Sequence, residues 1–145
     1  MTVHELFPYL CVKDTAAAIA FYGEVFGATE KFRLAEPGGR IGHAELDFGG
    51  TTVMLCDEFP EYGIRSATTL GATPVTLHVH VDNADALVER ALKAGATLEM
   101  PLEDHFHGER SGTFRCPFGH RWNVGHAIEE VSTDQMQQRY TDELK

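Results

Sequence analysis

The sequence predicts an α+β fold of two βαβββ units, whose curved mixed sheets enclose a cleft. Segments that begin at Asp14 and Asp82 each reach a Gly-Ala-Thr motif thirteen residues later, at an offset of 68. The apolar residues of both segments recur at helical spacing, and runs of strand length flank both segments. Such self-similarity indicates that one supersecondary unit is used twice.

The two similar segments are predicted to be helices. A side-chain oxygen caps the free N–H groups of the first turn, from Asp14 in one segment and from Asp82 or Asn83 in the other. Gly27 and Gly95 follow the last turn, where a left-handed residue commonly ends a helix. Each helix carries one apolar stripe, which consists of Ala18, Ile19, Tyr22, Val25 and Phe26 in the first and of Ala84, Leu87, Val88, Ala91 and Leu92 in the second.

Strands are predicted on both sides of each helix, because short apolar or alternating runs end there in turn residues. In the first unit they are expected at 6–12, 30–34, 42–48 and 51–56, and in the second at 75–81, 97–100, 112–115 and 121–125. Each unit therefore reads as β-α-β-β-β.

The predicted organisation is one domain over 1–130 followed by an added helix over 131–145. Within the domain, units at 3–56 and 75–126 are joined by a linker at 57–74, which is rich in Gly, Thr, Ser and Pro. The added helix is expected to begin at the capping-box pattern of Ser132 and Gln135 and to be amphipathic.

Length and charge exclude several classes of protein. A chain of 145 residues suits one domain, and 12 basic against 22 acidic residues give a net charge of −10, which disfavours nucleic-acid and membrane partners. No apolar run reaches the ~18 residues of a membrane span, and the N-terminus does not resemble a secretory signal, so a cytoplasmic location is expected. The three cysteines lack CxxC spacing and are expected to be reduced.

One face of each predicted sheet is expected to line a cleft for a small molecule. Side chains alternate along a strand, so that Thr76, His78 and His80 share one face and aliphatic residues the other. The aliphatic face suits a covering helix, whereas a mixture of aromatic, hydroxyl and imidazole groups suits a ligand cavity. The residues predicted to line this cleft are Phe7, Tyr9, Met54, Thr76, His78, His80, Arg121 and Asn123.

Several polar groups have two interpretations from the sequence. The imidazoles of His78 and His80 either bind a metal together or form hydrogen bonds in a polar cavity. The strand face of His43, Glu45 and Asp47 is either functional or a solvated edge. The run 105–110 is predicted to be an irregular loop, either a lid that supplies an acid or a cation, or a solvated loop.

Three stretches carry a resemblance to a known superfamily. They are Tyr9-Leu-Cys-Val-Lys-Asp14, then Ala18-Ile-Ala-Phe-Tyr22 with Phe26-Gly27, and Pro117-Phe-Gly-His-Arg-Trp122. Over about residues 3–130 the chain resembles the glyoxalase/bleomycin-resistance/extradiol-dioxygenase superfamily, also called vicinal oxygen chelate proteins. Within it, Pro101–Arg110 and Glu129–Ser132 are similar to the PhnB-like branch. The resemblance implies the same pair of βαβββ units.

The resemblance also implies where a metal would bind. Metal-dependent members hold a divalent ion with His, Gln or Glu side chains, and the ion acts as a Lewis acid on substrate oxygens. The four ligand positions fall on Phe7, Met54, Thr76 and Asn123. None of these residues supplies an imidazole or an anionic oxygen, so no cofactor is expected. The alternative is a divalent metal at a shifted site of His78 and His80, with or without His43 or Glu45.

The leading hypothesis is therefore a small-molecule binding protein with a metal-free cleft, and the resemblance implies a homodimer. The alternative is a metal-dependent lyase, isomerase or dioxygenase that uses the shifted histidine site. In that case His78 and His80 are the candidate catalytic acid–base residues, since imidazole titrates near neutrality. A third hypothesis, an interaction module, depends only on the acidic surface and the C-terminal helix.

Overall fold

The computed structural model describes residues 1–145, which form two compact units, Met1–Pro74 and Val75–Lys145. Each unit has a four-stranded mixed sheet against which a helix packs. Both sheets are curved and open. These features confirm the predicted α+β fold of two βαβββ units.

The first unit contains β1 (Tyr9–Cys11), α1 (Thr15–Phe26), β2 (Thr29–Ala35), β3 (Ile41–Phe48) and β4 (Thr51–Cys56). Its sheet has the order β1-β4-β3-β2, in which only the β1–β4 pair is parallel. A short 3-10 helix (Pro60–Tyr62) and α2 (Ala67–Leu70) follow the sheet. Strand β1 begins later than predicted, directly after Pro8, which has no N–H group for a strand ladder.

The second unit contains β5 (Thr76–His80), α3 (Ala84–Lys93), β6 (Thr97–Asp104), β7 (Glu109–Arg115), β8 (Arg121–Ala127) and α4 (Thr133–Glu143). Its sheet order, β5-β8-β7-β6, repeats the order of the first sheet, and only the β5–β8 pair is parallel. Strand β8 therefore lies between the first strand of the unit and β7.

Helices α1 and α3 begin at the predicted caps. The Asp14 carboxylate accepts the Ala17 N–H at 3.0 Å, and the Asn83 side chain accepts the Ala86 N–H at 3.0 Å. Asn83, rather than Asp82, is thus the cap of α3. Gly27 ends α1 in the left-handed region, with φ of 71°, where a residue without Cβ is favoured.

Each helix covers the apolar face of its sheet. The buried residues of the first unit include Leu10, Val12, Ala18, Tyr22, Val25, Ala44, Leu46, Val53 and Leu55, and those of the second include Leu87, Val88, Ala91, Phe114, Trp122 and Val124. Burial of these side chains stabilises the fold by about 25 cal/mol per Å² of apolar surface removed from water. The opposite face of each sheet carries the polar and aromatic side chains that form the candidate sites.

The prediction of an irregular loop at 105–110 is wrong at its C-terminal end. Strand β6 extends to Asp104 and β7 begins at Glu109, three residues before the predicted strand. Gly108 adopts φ of 91° in the tight turn between them, and the His105 N–H donates to the Glu109 carbonyl at 2.8 Å. The polar composition that suggested a loop therefore belongs partly to a strand, and Glu109 has a fixed position in the sheet.

The C-terminal helix α4 begins with a capping box. The Ser132 hydroxyl accepts the Gln135 N–H at 3.2 Å, and the Gln135 side chain accepts the Ser132 N–H at 3.0 Å. Arg139 of α4 donates to the Phe106 carbonyl at 2.9 Å, which attaches the helix to the β6–β7 turn. None of the helices combines the length and apolar composition that crossing a membrane requires.

Candidate functional site

The eight predicted cleft residues are divided between the two units. Phe7, Tyr9 and Met54 belong to the first, and Thr76, His78, His80, Arg121 and Asn123 belong to the second. In the first unit, Tyr9 pairs with Met54 across β1 and β4, and Phe7 precedes β1. In the second unit, the ladder of β5 and β8 pairs Thr76 with Arg121 and His78 with Asn123. Each unit therefore has its own candidate site.

The first unit contains an apolar pocket of about 450 Å³ on the polar and aromatic side of its sheet. Its walls are Tyr9, Cys11, Gly42, Cys56, Phe59, Tyr62 and Ile64. Of the predicted cleft residues, Tyr9 is part of this wall, whereas Phe7 and Met54 are not. Cavities of a few hundred Å³ with mostly apolar walls are typical small-molecule sites.

One wall of this pocket comes from the segment 57–66, which the sequence suggested was a linker. The Asp57 carboxylate accepts the Thr15 N–H at 2.8 Å and the Ile41 N–H at 2.6 Å, which joins the start of the segment to α1 and β3. Phe59 and Ile64 form an isolated β-bridge. The Arg40 guanidinium lies 3.9 Å from the centre of the Phe59 ring, a cation–π contact. These contacts position Phe59 against the sheet.

A chain of hydrogen-bonding groups runs along the polar face of the first sheet. The Tyr9 hydroxyl lies 2.6 Å from His43 Nδ1, and His43 Nε2 lies 2.9 Å from Glu45 Oε2. An ionised carboxylate only accepts hydrogen bonds, so Nε2 carries the proton, and Nδ1 of a neutral imidazole accepts from the Tyr9 hydroxyl. His43 and Glu45 are thus bonded to each other within the first unit.

Two cysteines face the same pocket from neighbouring strands. Cys11 pairs with Cys56 across β1 and β4. Burial, and next the adjacent Cys56 thiol, raises the pKa of the Cys11 thiol to about 12. Burial also raises the pKa of Cys56. Both side chains therefore remain neutral thiols at physiological pH, which agrees with a role as apolar wall.

At pH 8, iodoacetamide is expected to alkylate Cys11 about a hundredfold or more slowly than it alkylates a free thiol. The reason is that only the thiolate attacks the reagent. The rate should rise with pH through the alkaline range. Peptide mapping by mass spectrometry measures the rate at this residue, and protein unfolded in urea is the control. A folded protein that is alkylated at Cys11 as fast as the unfolded one contradicts this prediction.

The second unit brings together two imidazoles and one carboxylate. His78 Nε2 lies 3.2 Å from Glu109 Oε1, and His80 Nε2 lies 3.0 Å from Glu109 Oε2. One ligand atom from each residue lies within 4.8 Å of the others. Two atoms bound to one zinc ion at about 2.0–2.2 Å lie about 3–3.5 Å apart. The two histidine–carboxylate distances lie in this range, and the group offers the ligand chemistry of a divalent-metal site.

Asn123 orients one of these imidazoles. Its amide nitrogen donates to the Gly112 carbonyl at 3.2 Å and to the Thr113 hydroxyl at 2.9 Å, so its oxygen faces His78 Nδ1 at 2.6 Å. His78 Nδ1 must then be the protonated nitrogen, and a neutral His78 presents a lone pair at Nε2. Hydrogen bonds from neighbouring side chains to the second ring nitrogen fix the tautomer of metal-binding histidines in this way.

Glu109 has an oxygen that no hydrogen bond satisfies. Oε1 is buried and makes none, although it lies 3.2 Å from His78 Nε2. A lone pair on nitrogen and a carboxylate oxygen repel each other at this distance unless a proton or a cation lies between them. The unsatisfied oxygen therefore points to a positive charge at this position.

The carboxylate reaches the histidines because Gly125 has no side chain. Gly125 pairs with His80 on one side and with Ser111 on the other, two residues along β7 from Glu109. A Cβ at Gly125 would lie 2.8 Å from the Glu109 carboxyl carbon and would overlap the carboxylate. The glycine thus provides the space in which Glu109 lies over β8, close to β5.

The four positions implied by the superfamily resemblance do not fit a cation. Phe7 has no ligand atom, and Met54 offers only a thioether. Thr76 Oγ1 accepts a hydrogen bond from Arg121 Nε at 2.7 Å, and the Asn123 oxygen is bonded to His78. A hard or borderline divalent ion prefers carboxylate and imidazole ligands. Such a donor set exists instead at His78, His80 and Glu109.

A second cavity of about 370 Å³ lies on the same sheet. It is lined by Met100, Pro101, Glu103, His105, His107, Ser111, Gly112, Thr113 and Asn123. Asn123 is shared between this cavity and the histidine–carboxylate group, since its oxygen bonds to His78. A molecule in the cavity therefore lies one residue away from the candidate metal ligands.

Comparison with known proteins places these units in a family. The model of the Glyoxalase/Bleomycin resistance protein/Dioxygenase superfamily matches residues 3–124, and the chain belongs to that superfamily. Its members bind small molecules, often hold a divalent metal and often form dimers.

Individual relatives support this membership. An uncharacterized protein of Mycobacterium bovis is 46% identical over 135 residues, which cover 91% of this chain and 89% of the relative. Among solved structures, TioX from Micromonospora sp. ML1 is 29% identical with a TM-score of 0.65, and the match covers 89% of this chain and 100% of TioX. Protein PA1353 from Pseudomonas aeruginosa is 25% identical with a TM-score of 0.71, over 88% and 100% of the two chains.

Two groups of site residues were missed from the sequence. Glu109 was assigned to an irregular loop, and no local pattern relates it to His78. Phe59, Tyr62 and Ile64 were assigned to a linker, although three large apolar residues in a stretch otherwise rich in small and polar ones were a signal of packing.

Proposed function

We propose that this protein binds a small, partly aromatic molecule in the apolar pocket of its first unit. The observation that supports this function is the pocket itself, with three aromatic rings, Tyr9, Phe59 and Tyr62, around one cavity. Aromatic pairs add about 0.5–1.5 kcal/mol beyond the burial of their area. Binding also requires no developing charge to be stabilised, so it does not depend on a metal.

Gly42 offers a test of this pocket. It lines the cavity, has no positive φ, and a Cβ added there makes an ordinary contact with Phe59 at 3.7 Å. Gly42→Leu is expected to fill the pocket and weaken binding of the fluorescent apolar probe N-phenyl-1-naphthylamine by about tenfold or more. That loss corresponds to at least about 1.4 kcal/mol.

Gly42→Ala is the matched control and should retain most of the affinity, because its single methyl group displaces little volume. Fluorescence titration measures both dissociation constants. Equal affinity in the wild type and Gly42→Leu would show that the probe binds elsewhere.

A second candidate function is a metal-dependent lyase, isomerase or dioxygenase, and the group of His78, His80 and Glu109 favours it. Two imidazoles and one carboxylate with other positions open are the ligand set of many non-haem iron and zinc enzymes. A bound cation would supply Lewis-acid stabilisation of charge on a substrate oxygen. The protein's own contribution is to hold the ligands, orient His78 through Asn123, and offer the neighbouring cavity to a substrate.

Elemental analysis of protein purified without a metal-affinity tag separates the two functions. About one equivalent of zinc, iron, nickel or manganese per chain supports the enzyme. Metal-free protein that still binds the aromatic probe supports the binding protein. In the first case, the candidate acid–base groups are the nitrogens of His78 and His80 that do not bind the metal.

We propose the remaining features on sequence grounds. The stretch Pro101–Arg110 supports membership of the PhnB-like branch, and superfamily membership supports a homodimer. The net charge of −10 supports a small-molecule ligand rather than nucleic acid or a membrane surface as the partner. We keep the organisation of one domain over 1–130 with an added helix over 131–145, and a cytoplasmic location, as predictions.

A further inference from the structure

The chain of Tyr9, His43 and Glu45 opens onto the ligand pocket at one end. Tyr9 lines the pocket, whereas the other two residues lie behind it on the sheet. Since the Tyr9 hydroxyl donates its proton to His43, the lone pairs of its oxygen are left for a ligand. The group at the pocket wall is therefore a hydrogen-bond acceptor that is backed by a base.

We propose that Tyr9, His43 and Glu45 form a proton relay that accepts the proton of an acidic ligand hydroxyl, so that the pocket selects phenols or enols and holds them as anions. This inference rests on the proposed binding function of the pocket. In the transfer, the O–H bond of the ligand breaks and a new O–H bond forms on Tyr9. The original Tyr9 proton moves to His43 Nδ1, and Nε2–H remains bonded to Glu45.

The surroundings of His43 suit a half-buried imidazolium paired with a carboxylate. Its side chain is 23% exposed and that of Glu45 is 18% exposed. The rings of Tyr9 and Phe32 lie 5.3 Å and 5.6 Å from the imidazole, centroid to centroid, and pack beside it. The positive charge that forms on His43 is then balanced at 2.9 Å by Glu45, where hydrogen bonds between ionised groups are strong.

Tyr9 passes its original proton to His43, keeps the proton that it takes from the ligand, and is therefore neutral after the transfer. Burial, followed by the Cys56 thiol and the Glu45 carboxylate, raises the pKa of the Tyr9 phenol. The neutral Tyr9 hydroxyl then donates a hydrogen bond to the ligand oxygen, and this bond stabilises the ligand anion.

The other titratable groups on this face are engaged elsewhere or remain neutral. Asp47 of β3 accepts the Gly50 N–H at 2.7 Å, and Lys31 of β2 donates to Thr52 at 3.1 Å. On β1 and β4, Cys11 and Cys56 stay protonated because their pKa values are raised. Glu45 is therefore the carboxylate that faces His43.

The test uses 4-nitrophenol, whose phenolate is coloured, and its methyl ether 4-nitroanisole, which has no proton to give. The ionisation midpoint of nitrophenol bound to the full-length protein is expected to fall by about one pH unit, which means that the phenolate binds about tenfold tighter than the phenol. Nitroanisole should bind with an affinity that does not change with pH.

Three variants test the relay itself. Tyr9→Phe and His43→Gln should each return the midpoint of bound nitrophenol to the value in solution or higher, while nitroanisole still binds and reports a folded pocket. Glu45→Gln should also return the midpoint to the value in solution or higher, because it removes the charge that balances the imidazolium. Glu45 itself is a positioning residue, since it bonds to His43 and not to the ligand. Asp47→Asn, on the same strand and face, is the control and should leave the midpoint lowered.

The possible failures are distinguishable. If both probes bind and the midpoint is unchanged in the wild type, or if nitroanisole binds and nitrophenol does not, the relay is wrong and the pocket function stands. If the lowered midpoint survives in His43→Gln, the relay is also wrong. If neither probe binds, the proposed pocket function fails and the relay fails with it.

Discussion

Replacing Gly125 with Ala is expected to weaken zinc binding about a hundredfold, although Gly125 offers no ligand atom. An added Cβ occupies the space of the Glu109 carboxylate and displaces it from His78 and His80. Loss of groups that only support metal ligands already costs about 10–100-fold in affinity, and here a ligand itself moves. Isothermal titration with zinc at neutral pH measures the effect. Glu109→Gln should lose at least as much, because it removes the anionic oxygens.

Two controls make this result specific to the proposed site. Glu103→Gln removes one negative charge from the same unit, as Glu109→Gln does, but Glu103 is not one of the three ligands. This variant should therefore bind zinc like the wild type. In a Glu109→Ala background, Gly125→Ala should cause no further loss, because the side chain with which it collides is gone. Wild-type affinity in Gly125→Ala, with circular dichroism showing a folded protein, would mean that Glu109 is not a ligand.

Zinc affinity should also fall as the solution is made acidic, because protons compete with the metal for the imidazole nitrogens. A site formed by carboxylates alone would keep its affinity to a lower pH. The same titration repeated at pH 5.5 therefore checks that His78 and His80 contribute ligands.

The sequence predicted the two histidines of this site but not its carboxylate. Alternation along one strand was enough to place His78 and His80 on the same face, since successive side chains of a strand point to opposite sides. Glu109 comes from a strand that is not a neighbour of β5, and it reaches the histidines across β8 only because residue 125 is a glycine. That contact depends on strand order and register, which local patterns do not specify.

The fold was predictable for a different reason. The repeat at an offset of 68, the caps at Asp14 and Asn83, and the glycine at the end of α1 are local signals, and each agrees with the same architecture. The segment 57–66 is held in place by hydrogen bonds to α1 and β3, which are distant in sequence. Local sequence patterns therefore gave no signal for its position. Its composition resembled a linker, and its aromatic residues nevertheless form a wall of the pocket.

Two of the four positions implied by the resemblance, Thr76 and Asn123, lie in the second unit. Those positions assume that metal ligands occupy the strands used by metal-dependent relatives. In this chain, Thr76 instead bonds to Arg121, and Asn123 bonds to His78. The polar groups at these two positions thus support neighbouring side chains, and the candidate ligands His78, His80 and Glu109 lie elsewhere on the same sheet.

Replacing Asp57 with Ala is expected to destabilise the protein by about 3–6 kcal/mol and to abolish probe binding in the first unit. Both carboxylate oxygens accept backbone N–H groups, from Thr15 at 2.8 Å and Ile41 at 2.6 Å. Hydrogen bonds to a charged group contribute about 1.5–3 kcal/mol each, and their loss leaves two donors unsatisfied. The segment that carries Phe59 would also lose its attachment to α1 and β3. Urea unfolding measures the stability, and fluorescence titration measures the pocket.

Asp47→Ala is the matched control, because this carboxylate accepts one N–H, from Gly50 in an exposed turn. Its expected cost is about 1 kcal/mol, with probe binding retained. Asp57→Asn should fall between the two, since the amide keeps one acceptor oxygen but presents a donor to the second N–H. If Asp57→Ala were no less stable than Asp47→Ala, the two backbone bonds would not hold the pocket wall. Loss of probe binding with unchanged stability would instead show that Asp57 acts on the pocket alone, through the position of Phe59.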